Sequence, residues 1–510
     1  MRVIGDISRL GAKRHPDKTA LIMGDDSITY AELERQVNRL AWALLAQGVQ
    51  PGDRVGLLSE NSLQFVAIVL ASAKVGAYFV PYNFRYSADE VAYVTRDAEP
   101  TVLFAGPGYV DKASCAAAKV EHPPRVLAIE GGNENSLVHF VEGRPAHPPE
   151  VVVDPESAAM IVYTSGTTGF AKGVLFSHAS YVANHFAIAF EGDLRGSDVS
   201  LVALPLFHNG GLNGVLLPTL LVGGTAVIAG KGFSPAEQFA AIERHRVTLT
   251  MWVPTMLAML INSGAIERFD TSSLTKIWYG ASPISPPVLA RARECFHVGF
   301  YQLYGMCEIG MTSVLRPEDH AQRAHCTGRE MFCADMVLVG ENGQPVAFGA
   351  VGEILSARRP LGMIGYWRNE AATIETIQGE WIHTGDLARN EGQGFFTIVD
   401  RQKDLIISGG ENIYPKEIEN VIVDHPAVLE VACFGIPDET WGESVCAAVV
   451  LRQAQAVRAE DIIAFCATRL AGYKKPKRVD LLTELPKNAA GKVLKRVLRE
   501  PHWTARERSI

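Results

Sequence analysis

The run AAMIVYT (residues 158–164) is apolar almost throughout, and it breaks at once into SGTTGFAKGV (165–174). A short apolar run bounded by turn residues reads as a buried strand. The loop therefore hangs from a strand end, where α/β proteins bind their ligands. Gly166, Gly169 and Gly173 let the backbone turn tightly and come close to a ligand with no Cβ in the way. Thr164, Ser165, Thr167 and Thr168 add small hydroxyl donors, and Lys172 adds a mobile positive charge. Such donors suit an anion with several oxygens, and phosphate is the commonest of these.

The familiar nucleotide loops do not fit. A Walker loop needs G-x-x-x-x-G-K-[ST], and Phe170 follows Gly169 where the lysine is required. FAGPGYVD (104–111) has Asp111 in place of the third glycine of the dinucleotide fingerprint. The residues point to a phosphate ligand, and away from a P-loop NTPase or a dinucleotide oxidoreductase.

A chain of 510 residues exceeds what one hydrophobic core usually supports, so two or more domains are expected. Thr29 is placed to cap a helix through YAELERQVNRLAWALLAQGV, followed by strand DRVGLLS, helix SLQFVAIVLASAKVGA and strand YFVPY. The alternation continues through SLVALPL, SPAEQFAAIERHR, VTLTMWVP, LTKIWYGAS and PPVLARARECF, which argues for a layered α/β architecture. Beyond about residue 328 short strands and Gly-rich turns take over. A compact unit begins near DRQKD (400–404), with helices KEIENVIVD and AEDIIAFCATRLA and strands VLEVACFGI and SVCAAVVL.

The net charge of −8 argues against nucleic acid as a partner. Eight cysteines without a C-x-x-C pair or a metal spacing read as reduced thiols in a cytoplasmic protein. MRVIGDISRL lacks the apolar core of a signal peptide. The uncharged run 212–230 is broken by Pro218, Gly223 and Gly224, so it reads as a buried helix and strand and no transmembrane segment is expected.

Four further clusters carry chemistry. YQLYGMCEIG (301–310) holds Glu308, a carboxylate beside a glycine turn and a candidate Mg²⁺ contact for a bound triphosphate. GEWIHTGDLA (379–388) holds Asp386, which can accept both hydroxyls of a ribose. IVDRQKDLIISGGENIYPKEIE (398–419) gathers Arg401, Lys403, Asp404 and Gly409–Gly410. LPKNAAGKVLKR (485–496) sets Lys492 on a glycine turn. Taken singly, Glu308 reads equally as a helix-cap carboxylate, Asp386 as a turn former, Arg401 as half of a surface ion pair and Lys492 as a solvated lysine.

In this order the clusters resemble the adenylate-forming superfamily, and within it the acyl-CoA synthetases, over nearly the whole chain. The resemblance implies an α/β fold with a large multi-subdomain N-terminal domain of packed sheets and helices (residues 1–400). A small mobile α+β C-terminal domain (401–510) would follow, hinged near Lys403. It implies two half-reactions: a carboxylate attacks the α-phosphate of ATP to give acyl-AMP and pyrophosphate, and the thiol of CoA then displaces AMP. ATP, Mg²⁺ and CoA are the implied cofactors. The implied partners are small molecules, a carboxylic acid and CoA, and the state of the chain is monomer or homodimer.

Position by position, the resemblance assigns the ATP phosphates to Thr164, Ser165, Gly166, Thr167, Thr168, Gly169 and Lys172. The nucleotide is lined by Gly280, Ala281, Ser282, Tyr301, Gln302, Tyr304, Gly305 and Cys307. Glu308 takes the metal, Asp386 and Arg401 the ribose, and Lys492 the reacting carboxylate and α-phosphate. Gly409, Gly410, Trp441, Lys474 and Lys477 lie where the family binds CoA. Two residues depart from the family pattern: Ala171 precedes Lys172 where proline is usual, and Cys307 stands for a threonine that bonds the α-phosphate. A thiol is the weaker donor.

LPLFHNGGLNGVLLPTL (204–220) matches the family's acyl-pocket wall, with His208 as a gate beside Asn209, Gly210, Gly211 and Gly214. Amino-acid-activating relatives carry an aspartate here and this chain does not, so an apolar acid is expected: fatty, aromatic or polycyclic. The glycines serve helix packing equally well. Two alternatives to the acyl-CoA synthetase are an acyl-AMP ligase that loads a carrier protein and a non-catalytic nucleotide-binding protein.

Overall fold

The computed structural model describes residues 1–164, 171–282, 284–409, 411–452, 457–487 and 493–503. It divides into two compact units, residues 1–336 with 356–382, and residues 337–355 with 383–510.

The first unit is built on two sheets. In one, strands run in the order Gly328–Glu330, Gly310–Leu315, Gly299–Met306, Lys276–Gly280, Leu249–Trp252, Val199–Val202, Thr225–Ile228, Thr19–Met23 and Asp26–Thr29. The strands from Gly299–Met306 to Thr19–Met23 are parallel, and antiparallel pairs close the ends. The second sheet runs Gly365–Tyr366, Lys172–Ser177, Ala158–Thr164, Tyr78–Tyr82, Arg54–Leu58, Val102–Ala105 and Arg125–Ala128.

Local sequence explains the helices. Thr29 caps Tyr30–Ala46 by accepting from Glu32 N, while Glu32 Oε2 accepts from Thr29 N at 2.8 Å. This reciprocal box satisfies two otherwise orphaned donors. Helix Leu63–Lys74 is buried along most of its length, which fits its nearly unbroken apolar sequence. Trp252, Tyr279, Phe239, Phe296 and Phe300 share one core under the parallel strands. The uncharged run from residue 212 forms the helical turns Leu212–Leu216 and Leu217–Leu221 and then strand Thr225–Ile228. Among the described residues no helix is long and apolar enough to cross a membrane.

In the second unit, strands Trp381–Gly392 and Phe395–Arg401 form an antiparallel hairpin. A separate sheet runs Glu411–Ile413, Ile406–Ser408, Gly442–Leu451 and Val428–Asp438, with Arg478–Leu482 parallel to Gly442–Leu451. The boundary expected between residues 400 and 401 thus falls inside this unit, at the end of the hairpin. Asp400 is tied across that point: its carboxylate accepts from Arg401 N at 2.8 Å and from Lys416 N at 2.9 Å.

Candidate active site

The loop that opened the sequence reading joins an antiparallel pair, Ala158–Thr164 with Lys172–Ser177, in which Thr164 faces Lys172. Ser165, Gly166, Thr167, Thr168 and Gly169 lie outside the described residues, as do Pro283, Gly410 and Lys492. The two ends of the loop are fixed. Thr164 Oγ1 donates to Lys172 O at 3.4 Å, and the Lys172 ammonium lies 5.1 Å from the centre of the Tyr366 ring.

Tyr366 belongs to a two-residue strand that pairs antiparallel with Lys172–Ser177, Tyr366 opposite Val174. Its hydroxyl donates to Glu308 Oε1 at 2.9 Å. Glu308 is buried in the turn between Gly299–Met306 and Gly310–Leu315, and its carbonyl accepts from Met363 N at 2.9 Å. One tyrosine therefore touches both the loop lysine and the candidate metal carboxylate. Burial, and next the Glu308 charge, push the Tyr366 phenol above its ordinary range, so it stays a neutral donor. The sequence reading missed Tyr366, because 58 residues separate it from Glu308 and no motif links them.

The nucleotide-lining candidates cluster at the C-terminal ends of the parallel strands Lys276–Gly280 and Gly299–Met306. A Cβ on Gly280 would lie 2.1 Å from Leu303 O, and one on Gly305 would lie 2.0 Å from Gly310 O, so both positions demand glycine. Ala281 has φ +66°, a left-handed conformation that costs an alanine free energy and is characteristic of functional strand ends. Gln302 and Tyr304 share one face of their strand. Strand alternation puts Tyr301 on the other face, where Arg316, Arg195, Asp193 and Glu318 act on it. Tyr301 is thus set apart from the other nucleotide-lining candidates. Cys307 sits in the turn beside Glu308, close enough to act electrostatically on Tyr86, Tyr181 and Tyr366.

The acyl-wall candidates lie on one short helical stretch. The His208 ring stands 4.5 Å from that of Phe207. Its Nε2 is buried and lacks a hydrogen-bond partner among the described residues. Burial, and next the Arg85 charge, lower its pKa to about 4, so it is neutral at pH 7. Asn209 Oδ1 accepts from Tyr181 Oη at 3.3 Å and from Asn213 Nδ2 at 2.9 Å. Asn213 Oδ1 in turn lies 3.1 Å from His185 Nε2, and burial lowers the His185 pKa to about 4. This wall is a chain of neutral polar groups. A Cβ on Gly214 would meet Met311 Cε at 2.6 Å and one on Gly211 would meet Pro205 O at 2.4 Å, whereas Gly210 has only Leu204 Cδ1 nearby, at 3.3 Å. Two of the three glycines are therefore fixed by close packing.

In the second unit, Asp386 and Arg401 face each other across the hairpin, and Arg401 Nε lies 3.0 Å from Asp386 Oδ1. Lys403 follows in a single tight turn, Gln402–Asp404. Burial, and next the Arg401 charge, lower its pKa to about 8. Gly409 has φ +59° and donates its N–H to Trp441 O at 2.7 Å, and a Cβ there would touch the Trp441 ring at 2.6 Å. Trp441 is half exposed, with the Lys477 ammonium 5.9 Å from its ring. Gly409, Trp441 and Lys477 therefore form one group. Lys474 is engaged by both oxygens of Glu417 at 2.8 Å.

Residues 9–367 match the AMP-binding enzyme family, and residues 417–492 match the C-terminal domain of AMP-binding enzymes. The chain belongs to that family. It is an adenylate-forming acyl-CoA synthetase, an AMP-forming acid–thiol ligase. It is 37% identical over 489 residues to feruloyl-CoA synthase of Amycolatopsis sp, covering 96% of each chain. It is 35% identical over 520 residues to a fatty acid–acyl-carrier-protein ligase of Streptomyces coeruleorubidus, covering 98% of this chain and 96% of the other. Among solved structures it resembles ATP-bound MatB from Rhodopseudomonas palustris, with a TM-score of 0.90 and 30% identity over 98% of this synthetase and 99% of that chain. The α/β fold with a large N-terminal and a small C-terminal part agrees with these structures.

Proposed function

We propose that this synthetase activates an apolar carboxylic acid, aryl or fatty, and passes the acyl group to CoA in the cytoplasm. The observation that carries the substrate class is the neutral wall of Tyr181, His185, Asn209 and Asn213 beside a neutral His208. It offers no counter-charge to the amine of an amino acid, and a desolvated, uncharged histidine favours an apolar skeleton.

ATP is bound with its phosphates at the Thr164–Lys172 loop. Residues 165–169 wrap the oxygens and Lys172 supplies charge, while Gly280, Ala281, Ser282, Gln302, Tyr304 and Gly305 line the nucleotide. Glu308 fits a magnesium ligand, because it is a buried carboxylate with one oxygen oriented by a hydroxyl. Mg²⁺, when bound there, neutralises phosphate charge. Lys172 adds positive charge where the substrate carboxylate meets the α-phosphate, and Lys492 does so during adenylation. Holding both reactants removes the entropy of their encounter. Asp386 accepts the ribose hydroxyls while Arg401 keeps its carboxylate in place. Lys403 is the hinge, and the exposed Trp441 ring with Lys477 and Gly409 receives CoA.

The match to an acyl-carrier-protein ligase favours one competing acceptor, a carrier protein. The discriminating experiment measures AMP release over a panel of aryl, fatty and amino acids with CoA, with a phosphopantetheinyl carrier protein, and with neither. The expected result is the highest kcat/KM for an aryl or fatty acid and turnover that depends on CoA. A higher kcat/KM for an amino acid would refute the substrate class, and dependence on the carrier alone would refute the acceptor.

A further inference from the structure

Among the described residues, three metal-binding side chains outside the proposed machinery converge in the second unit: Cys446, Asp480 and His502. They come from three elements, strand Gly442–Leu451, strand Arg478–Leu482 and helix Lys495–Trp503. The two strands pair in parallel with Cys446 opposite Arg478 and Ala448 opposite Asp480, so Cys446 and Asp480 share a face. The helix crosses that face. Leu498 packs into the same apolar cluster as Cys446, the His502 ring is 5.8 Å from Phe434, and Trp503 Nε1 donates to Gly435 O at 3.1 Å.

The donor atoms are spaced like the corners of a coordination shell. Cys446 Sγ lies 3.6 Å from Asp480 Oδ2, His502 Nε2 lies 3.7 Å from the same oxygen, and all three atoms fall within 4.8 Å of one another. Tetrahedral Zn²⁺, with bonds of about 2.3 Å to sulfur and 2.0 Å to nitrogen or oxygen, needs ligand separations of about 3.3–3.6 Å. Two of the three edges are thus already close to those values. Asp480 is also preset, because Arg478 Nε holds Oδ1 at 2.7 Å and leaves Oδ2 to the other two ligands. An outer partner of this kind orients ligating carboxylates. Asp480 and His502 are half-buried, so water can reach the fourth position.

We propose that Cys446, Asp480 and His502 form a Zn²⁺ site that ties the helix Lys495–Trp503 to the C-terminal sheet. Binding displaces the thiol proton to solvent and leaves a Zn²⁺-bound thiolate, so no redox partner is needed. Without metal the thiol stays protonated, since burial and Asp480 push its pKa up to about 12. Occupancy therefore rises with pH.

The full-length protein, stripped with a chelator, is titrated with Co²⁺ alone and then with Zn²⁺. One equivalent of Co²⁺ is expected to give a near-ultraviolet thiolate-to-cobalt charge-transfer band that Zn²⁺ abolishes. Cys446→Ser should remove the band, and His502→Gln should weaken Co²⁺ binding by about tenfold or more. A wild-type protein without the band, or a band that survives Cys446→Ser, overturns the site and leaves a hydrogen-bonded cluster only. Should Cys446→Ser fail to fold, unchanged Co²⁺ affinity in His502→Gln overturns it equally.

Discussion

Replacing Tyr366 by phenylalanine removes one oxygen and leaves the ring, so it separates the two contacts this side chain makes. The lost contact is the 2.9 Å hydrogen bond to Glu308 Oε1, and the retained one is the ring face 5.1 Å from the Lys172 ammonium. A hydrogen bond to a charged partner contributes about 1.5–3 kcal/mol. At about 1.4 kcal/mol per tenfold change, its loss corresponds to roughly 10- to 100-fold. That loss should appear where Glu308 acts, in the Mg²⁺ requirement of adenylation. The assay is acid-dependent exchange of label between pyrophosphate and ATP across a Mg²⁺ series, with Mn²⁺ binding in the presence of ATP followed by electron paramagnetic resonance. Tyr366→Phe should bind Mn²⁺ more weakly and need more Mg²⁺ for half-maximal exchange, with an unchanged melting profile. Tyr366→Leu should add the loss of the cation–π contact, about 0.5–2 kcal/mol. Exchange within twofold of wild type at every Mg²⁺ concentration, with Mn²⁺ affinity unaltered, would refute the bridging role.

Asp386→Ala should weaken AMP binding by about tenfold or more, as two ribose hydrogen bonds are lost; calorimetric titration that finds unchanged affinity would remove Asp386 from the site. Cys307→Thr should raise the adenylation rate or lower the KM for ATP, since a hydroxyl is the better donor beside Glu308; no gain would assign the thiol a separate role. Lys403 titrates at about 8 in the folded protein, against 10.5 as the ordinary value. Between those values the unfolded chain binds more protons, so this lysine makes stability rise with pH across that window and contributes a fixed cost below it. The difference in urea midpoint between wild type and Lys403→Met should therefore change from about pH 8 to 10.5, and a flat difference would contradict the burial of the ammonium.

Much of the architecture was legible because it rests on local signals. The T-x-x-E pattern at Thr29 marks the start of helix Tyr30–Ala46, and YFVPY coincides with strand Tyr78–Tyr82. The glycine and hydroxyl loop does sit between paired strands, and Asp386 does meet Arg401. What escaped depends on long-range pairing. Tyr366 reaches Glu308 only because a two-residue strand adds to the edge of Lys172–Ser177. Tyr301 was grouped with Gln302 and Tyr304 by proximity in sequence, whereas the period of two along a strand separates it from them. Cys446, Asp480 and His502 show no metal spacing, since three elements bring them together. The close packing of Gly214 on Met311 is a tertiary contact, so its glycine could not be told from a pocket-lining one.

The central claim is that one chain joins a carboxylic acid to CoA through an adenylate. Product analysis with an aryl or fatty acid, ATP, Mg²⁺ and CoA tests it most directly, following the nucleotide and the thioester in the same reaction. The account predicts AMP and pyrophosphate in equal amount with the acyl-CoA, and no nucleotide turnover when the acid is omitted. ADP as the product, or ATP consumption indifferent to the acid, would contradict it.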